Sequence, residues 1–521
     1  MRPVLVAVLA TSIAGLAACS GSGSDAEAPR RGGTLRVATV GLATLDPAQA
    51  DDPTEAAVAE MLFTPLVDLD RRSREPRPGL AARWHVNDDQ TIFTFTLRRG
   101  IEFSDGSPIT ASDVKATFDR VAAKGTASPI APLLERIDGY AAAHDADGVS
   151  ELSGVVAKGA RTVEVTLTEP FAALPSVFSY PGLGIVDPEQ VATIAEAPVG
   201  SGPFRYTGRS GTTLELERSG RGAGSARLAR IDLVGYASLE EARTAFADDD
   251  VDVLRLGRDD AAPTGGTTEL HAAPYLAIGF YAIDVSNPKF ADARFRQAIV
   301  QAVNANELVE SAYPGGIVAS GLLPDGIPGG GVDQCRELCD FDVKASKRLL
   351  AETFPDGVIP AVNVDYDDSP TQKALADQLV AQLAAVGIPA TPRPHPEADY
   401  ADFLANGDPE VFRFGVVGDY PSEDPILSPW FISGAPENVA HVASTDVDTA
   451  VQEARKSVNP TRRQRAYAEA AAGVLATFAV APVVQFETRL VAPGSVRDLV
   501  IDPFGGFDAH TVWKQQPDEN E

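Results

Sequence analysis

The stretch PGLAARWHVNDDQTIFTFTLRRGIEFSDGSPITASDVKATFDR, residues 78–120, contains the clearest local structure in this chain of 521 residues. In QTIFTFTLRRG, Phe93 and Phe95 share one face of an alternating run, which predicts a β-strand. Residues 112–123 then follow helical spacing, and we expect Ser112 to be the N-cap of this helix. A strand followed by a short amphipathic helix indicates a mixed α and β fold.

On either side of this stretch, the chain shows two patterns of predicted secondary structure. Residues 31–270 are rich in strand patterns, such as TLRVATV, RTVEVTL, TTLELER and ARIDLVGY, separated by turn-forming residues. After Pro274, strand YLAIGFYAI precedes a helix ADARFRQAIVQAVNANELVESAY, and helices then alternate with strands AVNVDY, GIPATPR and VFRFGVV. This alternation predicts an α/β layer with a largely parallel sheet. Its best-defined helix begins after Ser369 and stops at Gly387.

These two patterns predict a chain of two lobes joined by two connections. A double connection of this kind can act as a hinge. The predicted segments are a lipoprotein signal peptide (1–18), a flexible tether (19–31), lobe one (32–274, with an insert subdomain at about 70–200), lobe two (275–490), and a return to lobe one with a polar tail (491–521).

The N-terminus indicates export. An apolar run from Val4 to Ala18 follows Arg2 and is shorter than the ~20 residues that cross a bilayer, so it is typical of a signal peptide. It ends in LAAC, which resembles a bacterial lipobox, so we expect Cys19 to be the lipidated first residue of the mature protein. The small, polar residues after Cys19 are typical of a flexible tether.

An exported chain can keep disulfides, and Cys335 and Cys339 in DQCRELC are a plausible pair. A zinc half-site is the alternative, although no second ligand pair follows at the usual spacing.

Composition excludes several functions. Asp and Glu number 73 against 44 Lys and Arg, for a formal charge of −29, so nucleic acid is not an expected partner. Common hydrolase and nucleotide motifs are missing, and the six histidines are dispersed. Acid pairs such as Asp51-Asp52 and Asp367-Asp368 carry little information in so acidic a chain. We expect no catalytic residue, cofactor or metal.

Several blocks together resemble a known family: GGTLRVATVGLATLDPA, MLFTPLVDLD, the stretch 78–120, PVGSGPFRY, FADARFRQAIVQAVNANELV, FDVKASKRLLAE and GDYPSEDP. They are similar to the family 5 extracytoplasmic solute-binding proteins of ABC transporters, which include dipeptide-, oligopeptide- and nickel-binding proteins. The likeness runs from about Arg31 to Trp513. It implies an α/β clamshell of the periplasmic-binding-protein type II fold, with an extra subdomain in lobe one, that encloses a solute without catalysis.

The resemblance also implies site residues. In peptide-binding members an Asp after a lobe-two strand holds the ligand's α-ammonium, and Asp419 matches it at the carboxyl end of VFRFGVV, where open α/β sheets collect ligands. Arg413 matches an Arg that helps bind the ligand carboxylate, for which a guanidinium fork is suited, although it could instead pair with a structural acid. Gln372 and Lys373 are further carboxylate candidates, and main-chain groups near Gly415 could bind the peptide backbone.

Two departures from the family pattern leave the cargo open. Peptide binders often carry Trp before the Asp, where this chain has Val416-Val417, and their Asn-Pro-x-Tyr-Trp segment is replaced by RSGRGAGSAR. Both changes remove aromatic pocket wall. With side-chain pockets filled by water, we expect broad specificity.

The sequence therefore predicts a monomeric, lipid-anchored protein on the outer face of the cell membrane that captures short peptides and delivers them to an ABC permease. The alternatives are another cargo on the same fold (haem, a nickel chelate or an oligosaccharide), a sensory or adhesive receptor, and a surface-anchored hydrolase.

Overall fold

The computed structural model describes residues 31–42, 44–145, 151–221, 226–257, 260, 267–313, 316–328, 330–331, 333–335 and 337–515. The predicted signal peptide, Cys19 and the tether up to residue 30 lie outside the described residues, as does the end of the polar tail. Among the helices that are described, none is long and apolar enough to span a bilayer.

The described strands are β1 (Thr34–Val40), β2 (Val67–Leu69), β3 (Pro76–Pro78), β4 (Ala81–Val86), β5 (Ile92–Leu97), β6 (Val155–Lys158), β7 (Thr162–Thr166), β8 (Phe204–Ser210), β9 (Thr213–Arg218), β10 (Arg230–Tyr236), β11 (Leu254–Arg255), β12 (Thr268–Ile283), β13 (Ile317–Val318), β14 (Val362–Asp367), β15 (Ala390–His395), β16 (Val411–Val417), β17 (Val480–Pro493), β18 (Val496–Arg497) and β19 (Trp513–Lys514).

The described α-helices are α1 (Pro53–Leu62), α2 (Ala111–Ala122), α3 (Tyr140–Asp145), α4 (Leu174–Val177), α5 (Leu239–Ala247), α6 (Ala293–Ala302), α7 (Ala305–Ala312), α8 (Val343–Thr353), α9 (Pro370–Val386), α10 (Glu397–Asn406), α11 (Asp424–Phe431), α12 (Thr445–Arg455) and α13 (Pro460–Ala476). Short 3-10 turns occupy Pro47–Gln49, Lys124–Thr126, Ala131–Leu134, Pro181–Leu183, Pro188–Thr193 and Pro288–Phe290.

Three larger sheets form the architecture. Lobe one has a four-stranded sheet in the order β1-β10-β9-β8, and its insert has a second in the order β4-β5-β7-β6. A seven-stranded sheet in the order β11-β17-β12-β16-β14-β15, with β13 beside β17, extends from β11 of lobe one into lobe two. The predicted largely parallel sheet is wrong here. Only β14 pairs in parallel, with β15 and β16, whereas β12 lies antiparallel to both β16 and β17 because the chain enters and leaves this lobe side by side.

The stretch 78–120 forms the core of the insert. In β5 the predicted alternation is confirmed, since Phe93, Phe95 and Leu97 are buried while their neighbours are partly exposed. Helix α2 packs against β6 and β7 of this sheet, and the ring centroids of Phe118 and Phe178 lie 4.7 Å apart. The predicted N-cap was wrong: the cap is Thr110, whose backbone N–H donates to the Asp113 carboxylate at 2.7 Å in a capping box.

The predicted long helix from 291 to 313 is two helices. The chain bends at Val303, and the Asn304 side chain accepts the Glu307 backbone N–H to begin α7. Helical periodicity continues across the break, which is why the pattern alone does not show it. Helix α9 matches its prediction, with Ser369 as N-cap and Gly387 in the left-handed conformation after its last turn.

Two long strands, β12 and β17, connect the lobes. They pair antiparallel from Thr268 opposite Pro493 to Ala282 opposite Val480, with register shifts between Pro274 and Ile278 and between Gly279 and Phe280. Both predicted lobe boundaries, 274/275 and 490/491, fall inside these strands. The segment after β17 packs into the apolar core of lobe one, where Leu499, Ile501 and Phe507 join Leu35.

The structure joins Cys335 and Cys339 in a disulfide, with their Cα atoms 5.2 Å apart. Beside it, the buried Gln334 side chain accepts the backbone N–H groups of Leu322 and Leu323 at 2.9 Å. These contacts fix the loop after β13.

The PVGSGPF turn lies against the end of α1. The Gly202 N–H donates to the Leu62 carbonyl at 2.8 Å, and the Thr64 N–H donates to the Ser201 hydroxyl at 2.9 Å. A Cβ atom on Gly200 would overlap the same Leu62 carbonyl oxygen. The glycine is therefore required by close backbone approach.

We predict that Gly200→Ala lowers the free energy of unfolding by about 1–3 kcal/mol, because two backbone segments must separate to admit the methyl group. Chemical denaturation followed by circular dichroism measures the change. Gly125→Ala is the matched control, since its Cβ would meet open space, and it should change stability by less than about 0.5 kcal/mol. Equal stability of both variants would contradict this account.

Candidate ligand-binding site

One edge of β16 has no strand partner over most of its length. On one side, β12 pairs with β16 from Val411 through Val417. On the other side, β14 pairs with it only at Val411 and Phe412. From Arg413 onward, this edge therefore has no neighbouring strand in the described part of the chain, and an extended ligand could pair with it.

The direction of the main-chain groups follows from two hydrogen bonds. The Gly418 N–H donates to the Leu276 carbonyl at 2.7 Å, on the β12 side. The Tyr400 hydroxyl donates to the Arg413 carbonyl at 2.7 Å, on the open side. Because successive residues of a strand face opposite neighbours, the main-chain groups of Gly415 and Val417 also point to the open side.

A cavity of about 560 Å³ lies along this edge. Of the residues predicted from the sequence, the structure brings Arg413, Gly415 and Gln372 to its wall. Lys373 is not among the lining residues; it is exposed and forms an i,i+4 ion pair with Asp377.

Arg413 is a buried cation with no carboxylate partner among the described residues. The residue is 7% exposed. The guanidinium donates to the carbonyls of Phe280, at 3.2 Å, and Phe414. Its Nε has no hydrogen-bond partner among the described atoms, and no described carboxylate lies within ion-pairing distance. The alternative that Arg413 pairs with a structural acid therefore finds no support in the described residues.

Gln372 and Tyr281 also have a buried polar atom without a hydrogen-bond partner among the described residues. Gln372 donates from Nε2 to the Tyr313 hydroxyl at 3.4 Å, while its Oε1 is buried without a described partner. The hydroxyl of Tyr281, which lies opposite Arg413 in the sheet, is also buried and unpaired among described residues. Burial raises the pKa of this phenol, so it stays a neutral donor. Buried polar groups usually have partners, so the unsatisfied atoms of Arg413 and Gln372, which line the cavity, indicate a ligand position; Tyr281 is not among the lining residues.

Asp419 lies just beyond β16, at the boundary between the lobes. It lines a second cavity of about 50 Å³ together with Asp51, Asp52 and Tyr180 of lobe one. Val417 lines both cavities, so they meet at the end of β16. The Asp51-Asp52 pair, which carried no information as a sequence pattern, is thus placed across the cleft from Asp419.

Asp419 is an acid without a described cation or hydrogen-bond donor. Asp419 is exposed to solvent, and the partial desolvation of its carboxyl by the surrounding cleft atoms raises the pKa above its ordinary value. A cationic group entering the cleft would stabilise the ionised form and reverse this shift.

The residues after Asp419 are held by a buried polar network that sequence reasoning missed. The Asp424 carboxylate accepts hydrogen bonds from Arg455 Nε, Ser428 and Tyr467, each at 2.8 Å. Arg136 of the insert approaches it at 3.6 Å. Burial alone would raise the pKa of Asp424, but the two guanidinium groups outweigh it and hold the pKa below its ordinary value.

The aromatic wall that the sequence appeared to lack comes from other elements. The larger cavity is lined by Trp430 of α11, Tyr400 of α10, Tyr313 after α7 and Phe486 of β17. These residues are distant from Val416-Val417 in the chain, so no local motif marks them.

The two lobes, their double-strand connection and the lined cleft at their boundary define a two-lobed periplasmic binding protein. The family model for bacterial extracellular solute-binding proteins, family 5 (Middle), matches residues 75–438. The chain belongs to this family.

Its relatives agree. The glutathione-binding protein GsiB of Salmonella choleraesuis (strain SC-B67) is 27% identical over 453 residues, covering 82% of this chain and 84% of the relative. The periplasmic murein tripeptide-binding protein MppA, in its unliganded open form, has a TM-score of 0.81 at 20% identity and covers 94% of this chain and 98% of its own. Haemophilus influenzae OppA in complex with RPPGFSPFR has a TM-score of 0.65 at 19% identity, covering 93% and 99%.

We predict that Asp419→Asn raises the thermal midpoint of the unliganded protein at pH 7. Because the pKa of Asp419 is raised in the folded state, folding favours the protonated form, and stability falls as pH rises above the ordinary value of 3.8. The amide of Asn cannot ionise, so it removes this loss of stability. The difference in thermal midpoint between Asp419→Asn and the wild type should therefore shrink as pH falls toward 3.8. Differential scanning calorimetry tests this, with Asp88→Asn in an exposed turn as control; a lower midpoint for Asp419→Asn would contradict it.

Proposed function

We propose that this protein captures short peptides between its two lobes and delivers them to an ABC importer. The observation that carries the proposal is a pair of opposite charges without described partners, Asp419 and Arg413, at the two ends of an unpaired strand edge. An extended peptide carries the complementary groups in the same arrangement: an ammonium, a row of main-chain donors and acceptors, and a carboxylate.

The spacing of the site fits a short peptide. Strand β16 is extended from Arg413 to Val417, and Asp419 follows it. At ~3.3 Å per residue, the four steps from Arg413 to Val417 cover about 13 Å, which is the length of roughly four extended residues. The Arg413 side chain adds reach at the carboxylate end, so a range of peptide lengths is accommodated.

The energetics are adequate for a transport protein. Hydrogen bonds to charged groups contribute about 1.5–3 kcal/mol each, and the main-chain ladder to Gly415 and Val417 adds affinity without reading side chains. A micromolar dissociation constant corresponds to about −8 kcal/mol, which these contacts supply after the cost of ordering the ligand. Lobe movement about β12 and β17 would then enclose the peptide.

The relatives support a peptide-class cargo. GsiB is named for glutathione, a tripeptide, MppA for a murein tripeptide, and OppA is seen with a nine-residue peptide. With the lipobox, we further propose that Cys19 anchors the protein by a lipid to the outer face of the cell membrane, beside its permease.

A thermal-shift panel separates the candidate cargoes. Stabilisation by di- to tetrapeptides supports this proposal, whereas stabilisation only by haem, chelated nickel or an oligosaccharide would replace it with another cargo. In the described chain, the one acidic or imidazole cluster tight enough for a metal is Asp51, Asp52 and Glu55, without a histidine.

We predict that Asp419→Asn weakens peptide binding at least tenfold, because a charge-assisted hydrogen bond to the ammonium becomes a neutral one. Isothermal titration calorimetry with a tripeptide measures it. The effect should vanish for an N-acetylated tripeptide, which carries no ammonium, and Asp88→Asn should bind as the wild type does. Equal affinity of Asp419→Asn and wild type would remove Asp419 from the site.

We predict that the wild type discriminates a peptide acid from its C-terminal amide. For the tripeptide or for a tetrapeptide, amidation should weaken binding at least tenfold, because Arg413 loses its carboxylate partner. In Arg413→Gln the acid and the amide should bind within about threefold of each other. Since the amide is a change in the ligand, a poorly folded variant cannot imitate the wild-type result. An acid and an amide that bind the wild type equally at both lengths would remove Arg413 from carboxylate recognition.

A further inference from the structure

The larger cavity has walls of different chemistry on the two faces of β16. Arg413 and Phe414 point to opposite faces, because side chains alternate along a strand. Their partners in β12 confirm the division: Tyr281, opposite Arg413, belongs to one apolar cluster, and Phe280, opposite Phe414, belongs to another. The cavity therefore has two compartments, which meet at the free edge of the strand.

The compartment on the Phe414 side, which we call the apolar compartment, is lined by hydrophobic side chains. Phe414, Trp430, Leu404 and Val439 all belong to or pack against the same hydrophobic cluster. The rings of Phe414 and Trp430 meet edge to face with centroids 5.2 Å apart.

The α10 side of the apolar compartment is open because its residues are small. Ala401 and Ala405 line the cavity and are exposed, so no large side chain fills this space. Three acidic residues line the cavity, the exposed Glu397 and Glu437 and the half-buried Asp367, and their carboxylates would repel an acidic ligand side chain.

The opposite compartment is polar and aromatic. It contains the Arg413 guanidinium, the Gln372 amide and the Tyr313 ring, with the unpaired Nε and Oε1 atoms described above. Water in this compartment has hydrogen-bond partners, whereas water against Phe414, Trp430 and Leu404 has few. The expectation that every side-chain pocket is filled with water therefore fits the polar compartment and not the apolar one.

We infer that the cargo is a peptide with a bulky apolar side chain, aromatic or long aliphatic, that enters the apolar compartment. The inference rests on the proposed function, because it takes the peptide to lie along the free edge of β16. Successive residues of an added strand point to opposite faces, so apolar residues are preferred at every second ligand position and not at the positions between. Discrimination arises because an apolar side chain replaces poorly bonded water against Phe414 and Trp430.

The test is a phenylalanine scan. Tetra-alanine and the four peptides with one Phe at positions one to four are titrated into the full protein by calorimetry. Phe should improve affinity at least tenfold at one or both positions of one alternating pair, either one and three or two and four. At both positions of the other pair it should change affinity less than threefold. Equal effects at all four positions, or none at any, would overturn the inference.

Two variants on one helix locate the compartment. Ala405→Trp places an indole on the cavity wall, and it should abolish the gain in affinity that Phe gives over tetra-alanine. Ala398→Trp is the matched control, because Ala398 is exposed on α10 and does not line the cavity; it should keep the whole Phe profile. A Phe gain that survives in Ala405→Trp would place the apolar group elsewhere and overturn the inference.

The outcomes also separate this inference from the function it rests on. If tetra-alanine binds but no Phe position is favoured, the peptide function stands and the apolar compartment is wrong. If none of the five peptides binds at millimolar concentration, the peptide function itself fails. If Ala405→Trp weakens the binding of all five peptides equally, the indole blocks the main-chain edge of β16. That result would also overturn the inference of a separate apolar compartment.

Discussion

The antiparallel pairing of β12 with β17 is the constraint on which the cleft depends. These strands are the two connections between the lobes, and their ladder changes register between Pro274 and Ile278, where the chain passes from one lobe to the other. Strand β12 also pairs with β16 on its other side. One strand therefore links the hinge to the binding edge, and the position of Gly415 relative to lobe one follows from the register of this ladder.

Buried charge is accommodated in different ways across the described chain: Glu423, like Arg413, is buried with an atom that has no described partner. Elsewhere the chain surrounds a buried carboxylate with donors: Asp365 accepts from Arg393 and His395, and Asp424 has the network of Arg455 and Tyr467. Near the cleft, Arg413 and Asp419 have no such partner among the described residues. Leaving a buried charge unpaired is costly, so the persistence of Arg413 at one end of the strand edge is better explained by a ligand than by stability, whereas Asp419 at the other end is exposed to solvent.

Local sequence predicted the elements but not the edge that makes the site. The alternation of Phe93 and Phe95 and the caps of α9 depend on neighbours within a few residues, so they are readable in the sequence. The free edge of β16 exists because β14 stops pairing after Phe412, which is a tertiary fact. The same holds for Trp430 as a wall of the cavity, and for the approach of Asp51 to Asp419 across the lobes.

The two cavities differ in which lobe lines them. Every residue that lines the larger cavity lies between Ala277 and Phe486, in lobe two, whereas the cavity at Asp419 includes Asp51, Asp52 and Tyr180 of lobe one. A peptide bound as proposed would first meet lobe two, which alone supplies the strand edge and Arg413. Lobe one would then close over the amino end, adding carboxylates to the ammonium site. Both lobes would thus contact the amino end of the peptide. Closure would depend on the positive charge of the ammonium there, since Asp51, Asp52 and Asp419 repel one another when no cation lies between them.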